Sequence, residues 1–307
     1  MPHADAKPAA PLVAVDWGTT SFRAYLVEKA AISAEVTDAR GILTVGAGEH
    51  ASVLASLLGR LPERARALPI VMSGMIGSRQ GWKEAPYAAT PATLRDLAGK
   101  ALRWNEDGLG PITLLPGVMQ EGADMPDVMR GEETQIFGAL SLLGRDEGIF
   151  IMPGTHSKSV EVRNGAILGF RTYMTGEAFA ALKGHTILGR LMSEGEPGGE
   201  GFARGVQASR RLDSAGSLLN AIFGTRTLGL FGRLPGPELA EYLSGLLIGA
   251  ELMAGLPEGG QGVVVGTSGL EARYTKAASL LGRTLESAPD NAVVAGQIAI
   301  MAARTDA

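Results

Sequence analysis

The chain of 307 residues contains no cysteine. That excludes disulfides, thiolate metal sites, a cysteine nucleophile and iron–sulfur chemistry. It also lacks a basic surplus. Its formal net charge is −4, so no electrostatic footprint for nucleic acid is visible. No uninterrupted apolar run reaches the ~18 residues that a spanning helix needs. The most apolar stretch, 243–256, is interrupted by Glu251 and by Gly245, Gly249 and Gly255. Residues 1–11 are rich in Ala and Pro and have no apolar core segment, so they read as a short disordered tail and not as a signal peptide. The expected setting is the cytoplasm, without nucleic-acid or membrane partners.

What is present is an ordinary folded composition, 45% hydrophobic and 20% charged. The length suits two domains of roughly 150 residues each. Glycine is abundant, and many of the 43 glycines directly follow short apolar runs. One such run, 12–15, leads into Asp16-Trp17-Gly18-Thr19-Thr20 and then an alternating strand at 23–27. The pattern returns at 148–152, followed by Gly154-Thr155-His156-Ser157-Lys158 and a strand at 159–162. Asn164-Gly165 then signals a hairpin into a strand at 166–170. Further strands are expected at 42–45, 69–72, 112–115 and 262–265. Helices are expected at 49–60, 131–143, 237–253, 270–281 and 291–303, and residues 177–230 read as mainly helical. Gly245 and Gly249 leave room for close packing against another element.

The repeat of strand, Gly-Thr turn and strand indicates an α/β protein of two related domains. The expected boundaries are 11–143 and 144–290, with the helix at 291–303 packing back on the first domain. A turn at a strand end can aim backbone N–H groups at one point and hold phosphate. Gly18, Thr19 and Thr20 form one candidate nest. Gly154, Thr155, His156, Ser157 and Lys158 form the other, and two nests could position a phosphoryl group for transfer. Asp16 is itself an anion, so its natural partner there is Mg²⁺, reached through water. Gly266, Thr267 and Ser268, between a strand and a helix, suit the flat approach of adenine or ribose.

Two carboxylates open the helix at 131–143. Glu133 falls on the face of Ile136, Phe137 and Leu140, where an idle carboxylate is costly. Glu132 lies nearer the polar side. Either could accept a hydroxyl proton, with Glu133 the first candidate. The Gly-rich loop from Ser73, Gly74, Met75 and Ile76 through Trp82, Lys83 and Tyr87 suits a sugar, and Lys83 or Arg130 could hold a substrate carboxylate.

These stretches resemble the 2-dehydro-3-deoxygalactonokinase family of the actin-like ATPase superfamily. The match runs in order through Val15 to Thr20, Ser73-Gly74-Met75-Ile76-Gly77, Gly81-Trp82-Lys83, Ala85-Pro86-Tyr87, Val128-Met129-Arg130-Gly131-Glu132-Glu133-Thr134, Met152-Pro153-Gly154-Thr155-His156, Phe170-Arg171-Thr172, Met174-Thr175-Gly176-Glu177, Leu243 to Ala250 and Gly266-Thr267-Ser268. The resemblance implies two actin-like, ribonuclease H-like domains with a nucleotide cleft between them and closure about residues 143–148. It implies ATP and Mg²⁺ as cofactors and phosphorylation of the 6-hydroxyl of 2-dehydro-3-deoxy-D-galactonate, a small sugar acid of galactonate breakdown. It adds Glu177 to the nucleotide-binding candidates and assigns Asp16 to the metal. Met152 and Pro153 stand where the wider superfamily has an acidic residue. The contrasting expectations are a polyphosphate phosphohydrolase and a non-enzymatic actin-like regulator. Oligomeric state stays open, a homodimer being the assembly considered.

Overall fold

The computed structural model describes residues 10–122, 125–196 and 198–304; most of the expected N-terminal tail, residues 1–9, lies outside them. The chain begins β1 (Leu12–Trp17), β2 (Phe22–Glu28), β3 (Ala31–Asp38), α1 (His50–Leu58), β4 (Ile70–Ser73), β5 (Tyr87–Ala89) and β6 (Ala92–Thr93). It continues with α2 (Leu94–Lys100), β7 (Leu102–Glu106), β8 (Gly110–Leu114), β9 (Gly117–Gln120), β10 (Asp127–Met129) and α3 (Glu132–Leu143). Next come β11 (Gly148–Met152), β12 (Ser157–Arg163), β13 (Ala166–Tyr173), α4 (Thr175–His185), α5 (Glu200–Ser209), α6 (Ala215–Leu230) and α7 (Gly236–Gly255). The last elements are β14 (Gln261–Val264), α8 (Ser268–Leu280), β15 (Thr284–Ser287) and α9 (Ala292–Ala302). The chain divides into two compact units: one runs to Glu147 and adds Val162–Gly169 and the residues from Pro289 on, the other is Gly148–Glu161 with Phe170–Ala288.

In the first unit the sheet order is β3-β2-β1-β4-β8-β7. β1 pairs antiparallel with β2 and parallel with β4, and β4 pairs parallel with β8. β1 is buried almost throughout because it lies inside the sheet with apolar packing around it, including Leu54, Leu57 and Ile112. α9 returns to this unit. A Cβ at Gly138 of α3 would collide with Ala292 O, and one at Gly296 with Thr134 O, so the two helices meet backbone to backbone. Gln297 then donates to Val15 O and Ser73 Oγ, both at 2.8 Å. The edge of the chain is thereby tied to the ends of β1 and β4.

The strand expected at 42–45 is instead a 3₁₀ turn, Ile42–Thr44. Its amides are used elsewhere: Ile42 N donates to Gly18 O and Leu43 N to Thr19 O. The third strand is β3, which pairs antiparallel with β2. It is an edge strand with a mostly polar or half-exposed surface, and therefore carries a weak hydrophobic signal.

The second unit repeats the order. β13-β12-β11-β14-β15 matches β3-β2-β1-β4-β8 strand for strand. Asn164 and Gly165 take φ of 52° and 69°, the left-handed turn that the hairpin between β12 and β13 requires. The first residues of β13 belong to the first unit, where Ala166 and Ile167 pair with Thr93 and Ala92 of β6. α5 and α7 pack at close range, since a Cβ at Gly245 would collide with Phe202 O and one at Gly205 with Tyr242 O. This doubled strand order is that of the two-domain actin-like, ribonuclease H-like fold.

Candidate active site

In the first unit the ends of β1 and β4 lie side by side, with Asp16 opposite Ser73 in parallel register. Gly18 N donates to Ser21 O at 2.9 Å, which closes the turn. The 3₁₀ segment holds Gly18 and Thr19 from outside, while Thr19 and Thr20 stay exposed. Gly74 has φ 96°, and a Cβ there would lie 2.8 Å from Trp17 O and 3.1 Å from Asp16 Oδ1. Gly131 has φ 107°, and its Cβ would lie 3.2 Å from Gly74 Cα. Only glycine combines these backbone angles with this approach. Asp16, Gly74 and Gly131 are therefore stacked, and the start of α3 rests on the strand ends.

The carboxylates differ in setting. Burial pushes the Asp16 carboxyl above its ordinary value, Arg23 opposes that, and Glu132 reinforces it. The Arg23 guanidinium stands 3.9 Å away. Glu132 is half-buried and accepts from Arg130 N at 3.0 Å. Glu133 is only 1% exposed. Its two oxygens accept from Gly131 N at 3.0 and 2.8 Å, and Thr134 Oγ1 donates to it at 2.9 Å. Burial, then the charge of Glu132, push its pKa up to about 7. Glu133 thus caps its own helix from inside, and Glu132 is the more accessible of the pair.

Arg130 is buried, yet its Nε and Nη1 have no hydrogen-bond partner among the described residues. Nη2 donates to Ala85 O at 2.8 Å, and the guanidinium stacks 4.3 Å over the Tyr87 ring. Gly77 and Gly117 keep this place open, because a Cβ at Gly77 would press on Arg130 Nη1 and one at Gly117 on the Tyr87 ring. A buried cation with idle donors is expensive unless an anion reaches it. The other loop candidates go to different surroundings. Ser73 and Ile76 are fully buried, the first engaged by Gln297, and Met75 packs against the core. Trp82 stacks on His50 and meets Trp104 edge-on, and Lys83 lies 5.0 Å over Trp104.

In the second unit the turn after β11 meets the start of α4. A Cβ at Gly176 would lie 2.5 Å from Gly154 O, and Glu177 N donates to Thr155 O at 3.0 Å. Thr155 and His156 are exposed, and His156 Nε2 lies 2.6 Å from Glu177 Oε2. Ser157 turns inward to Glu251, and Lys158 is buried with Nζ donating to His156 O at 3.1 Å. Beside the turn is a cavity of about 300 Å³. Gly154, Thr175, Gly176, Phe179 and Lys183 form one wall. Ala240, Glu241, Ser244, Leu247 and Ile248 of α7 form another, with Leu270, Arg273 and Tyr274 of α8. Arg273 donates to Ser244 Oγ at 2.8 Å and pairs with Glu241 at 3.0 Å. Its guanidinium also lies 4.6 Å over Phe202. An apolar slot rimmed by a few polar groups has the chemistry of a nucleoside site. Gly266, Thr267 and Ser268 are exposed at the start of α8, just before Leu270, and do not themselves line the cavity.

Sequence reasoning missed Phe179, Lys183, Glu241 and Arg273, which carry no motif and converge only through helix packing, and it assigned no role to Ser244 within the stretch Leu243 to Ala250. Among the described residues no three His, Asp or Glu side chains form a metal cluster. No helix is long and apolar enough to cross a membrane among those residues.

Comparison with known proteins gives the context. The family model described as 2-keto-3-deoxy-galactonokinase matches residues 16–300. A 2-dehydro-3-deoxygalactonokinase of Escherichia coli (strain K12) is 35% identical over 289 residues, covering 92% of this chain and 95% of that protein. A Rhizobium meliloti (strain 1021) protein carrying the same kinase name, DgoK1, is 39% identical over 289 residues, covering 92% and 94%. A crystal structure from Sinorhizobium meliloti, assigned to the same kinase, superposes with a TM-score of 0.83 at 37% identity, over 94% of this chain and 97% of that one. The chain belongs to the 2-keto-3-deoxy-galactonokinase family.

Proposed function

We propose that this protein transfers the γ-phosphoryl group of ATP to the 6-hydroxyl of 2-dehydro-3-deoxy-D-galactonate. The observation that carries the reading is Arg130, a buried guanidinium with two donors unmatched, stacked on Tyr87. An acyclic or ring-closed sugar acid brings a carboxylate, the partner for a charge-assisted hydrogen bond from such a group. Gly77 and Gly117 let the guanidinium and the Tyr87 ring sit close to the backbone, and the neighbouring Glu132 accepts the proton of the attacking hydroxyl as the new O–P bond forms and the γ-phosphorus–oxygen bond to ADP breaks. Glu133, with its oxygens directed at Gly131 N–H and Thr134, supports the loop that presents Glu132. The second unit binds the nucleotide, with adenosine in the 300 Å³ cavity and the phosphates at Gly154, Thr155 and His156. The exposed Thr19 and Thr20, in the turn that the Gly18 N–H closes on Ser21 O, take the transferring phosphoryl oxygens.

Mg²⁺ fits the donor set. Asp16 is a strand-end carboxylate pushed up by burial and by Glu132, so a cation there relieves both effects. Held by Asp16 through water and by ATP, the ion would supply neutralisation of phosphate charge.

The test is coupled ADP release against a panel of 2-keto-3-deoxy sugar acids. ADP release should depend on the acid. Arg130→Met should raise the acid's KM by roughly 10- to 100-fold, the worth of a charged hydrogen-bonded contact. Glu132→Gln should lower kcat by roughly 100-fold or more. Rapid ADP release without any acid, or an unaltered acid KM in Arg130→Met, rejects the reading.

A further inference from the structure

The interior of the second unit holds a carboxylate that the reaction does not use. Glu251 lies on α7 and is 2% exposed. Three hydroxyls donate to it. Ser157 Oγ donates to Oε1, Thr175 Oγ1 to Oε2, and Tyr274 OH to Oε2 at 2.7 Å. The Tyr274 OH also lies 3.3 Å from Ser157 Oγ. The four residues come from four elements, β12, α4, α7 and α8, which are remote in sequence. Burial pushes the Glu251 carboxyl up, and the three hydroxyls hold it down.

The donors are not scattered. Ser157 is the first residue of β12, directly after the exposed Thr155 and His156. Thr175 is the first residue of α4, whose Gly176 packs against Gly154 O. Thr175 and Tyr274 also line the cavity, together with Gly154. One carboxylate therefore clamps the back of the phosphate turn, the N-terminus of a helix and an aromatic wall. A purely apolar core would fill this volume without fixing the three elements in register. A buried charge with matched donors specifies one arrangement, because any shift leaves it unsatisfied.

We infer that Glu251 is a positioning residue for nucleotide phosphates: through Ser157 and Thr175 it sets the Gly154–His156 turn and the α4 N-terminus at a fixed distance from the adenosine wall. This rests on the cavity being the nucleoside site. Its effect falls on the part of the nucleotide that the turn grips. Adenosine contacts the wall, which α7 and α8 hold by their own packing. The phosphates need the turn.

The experiment measures binding of adenosine, ADP and ATP by calorimetry, with steady-state kinetics, on wild type, Glu251→Gln, Thr175→Val and Tyr274→Phe. Glu251→Gln retains the shape but points an amide donor at hydroxyl donors. The expected result is loss of ATP and ADP affinity of about tenfold or more, the scale of one or two disrupted hydrogen bonds. Adenosine affinity and the KM for the sugar acid should stay within about twofold. Thr175→Val should move ATP affinity in the same direction by a smaller factor. Tyr274→Phe, which removes one donor and leaves Ser157 and Thr175 in place, should have the least effect on phosphate binding. If Glu251→Gln is too unstable to purify, Thr175→Val carries the same comparison. A lower melting temperature with unaltered ATP affinity makes the cage merely structural and overturns the inference. An equal loss for adenosine and ATP overturns it as well. Wild type that binds no nucleotide rejects the nucleoside assignment itself, which separates the two failures.

Discussion

At the scale of single residues, the neighbouring carboxylates Glu132 and Glu133 are made unequal by burial. Glu133 titrates near 7, against an ordinary value of 4.5, because it is interior and because Glu132 is adjacent. Between those values the native chain keeps a proton that the unfolded chain releases. Stability therefore falls as pH rises through that window, and the loss is complete above the native pKa. Glu133→Gln removes the titration and keeps one acceptor for Gly131 N–H. The melting temperature of wild type should decline relative to Glu133→Gln as pH rises from about 5 to about 8. A difference independent of pH would show that Glu133 does not change its protonation across this range, and would overturn the titration near 7.

At the scale of elements, two helix pairs depend on glycine. α3 meets α9 at Gly138 and Gly296, and α5 meets α7 at Gly201, Gly205, Gly245 and Gly249. Adding a methyl at Gly138 or Gly245 drives it into the facing backbone, which cannot rotate away as a side chain can. Gly138→Ala and Gly245→Ala should each cost about 1–3 kcal/mol or more in urea unfolding, although alanine is the better helix former. Gly99, which has open space around it in α2, is the control and should tolerate alanine. The close packing near Gly245 and Gly249 was legible because the two lie one helical turn apart in one apolar stretch. The partner glycines Gly138 and Gly296 are separated by most of the second unit, so nothing local links them. The same division holds for the site. The turns at Asp16 and Gly154 were legible, since each places Gly and Thr directly after an apolar run. β3 was not, because its polar edge blurs the alternation. Arg273 and Phe179 were invisible, since they look like ordinary helical residues until α4, α7 and α8 come together.

At the scale of the whole molecule, the proposed function divides two kinds of recognition between the two units that repeat the strand order. Arg130, Tyr87 and the carboxylates belong to the first, and the cavity with Arg273 belongs to the second. Arg273 ties α8 to Ser244 and Glu241 of α7 and lies over Phe202 of α5, so it stiffens the cavity wall. Arg273→Met should raise the KM for ATP by about tenfold through lost ion-dipole and cation–π contacts. The KM for the sugar acid should hold within about twofold, because Arg273 and Arg130 share no hydrogen-bond or ring partner. Arg130→Met should give the mirror image, with ATP affinity retained in calorimetry while the acid constant rises. The double variant should then multiply the two effects. If either single change instead shifted both constants alike, the two recognition tasks would not be separable by unit, and the duplication would not have assigned one substrate to each half.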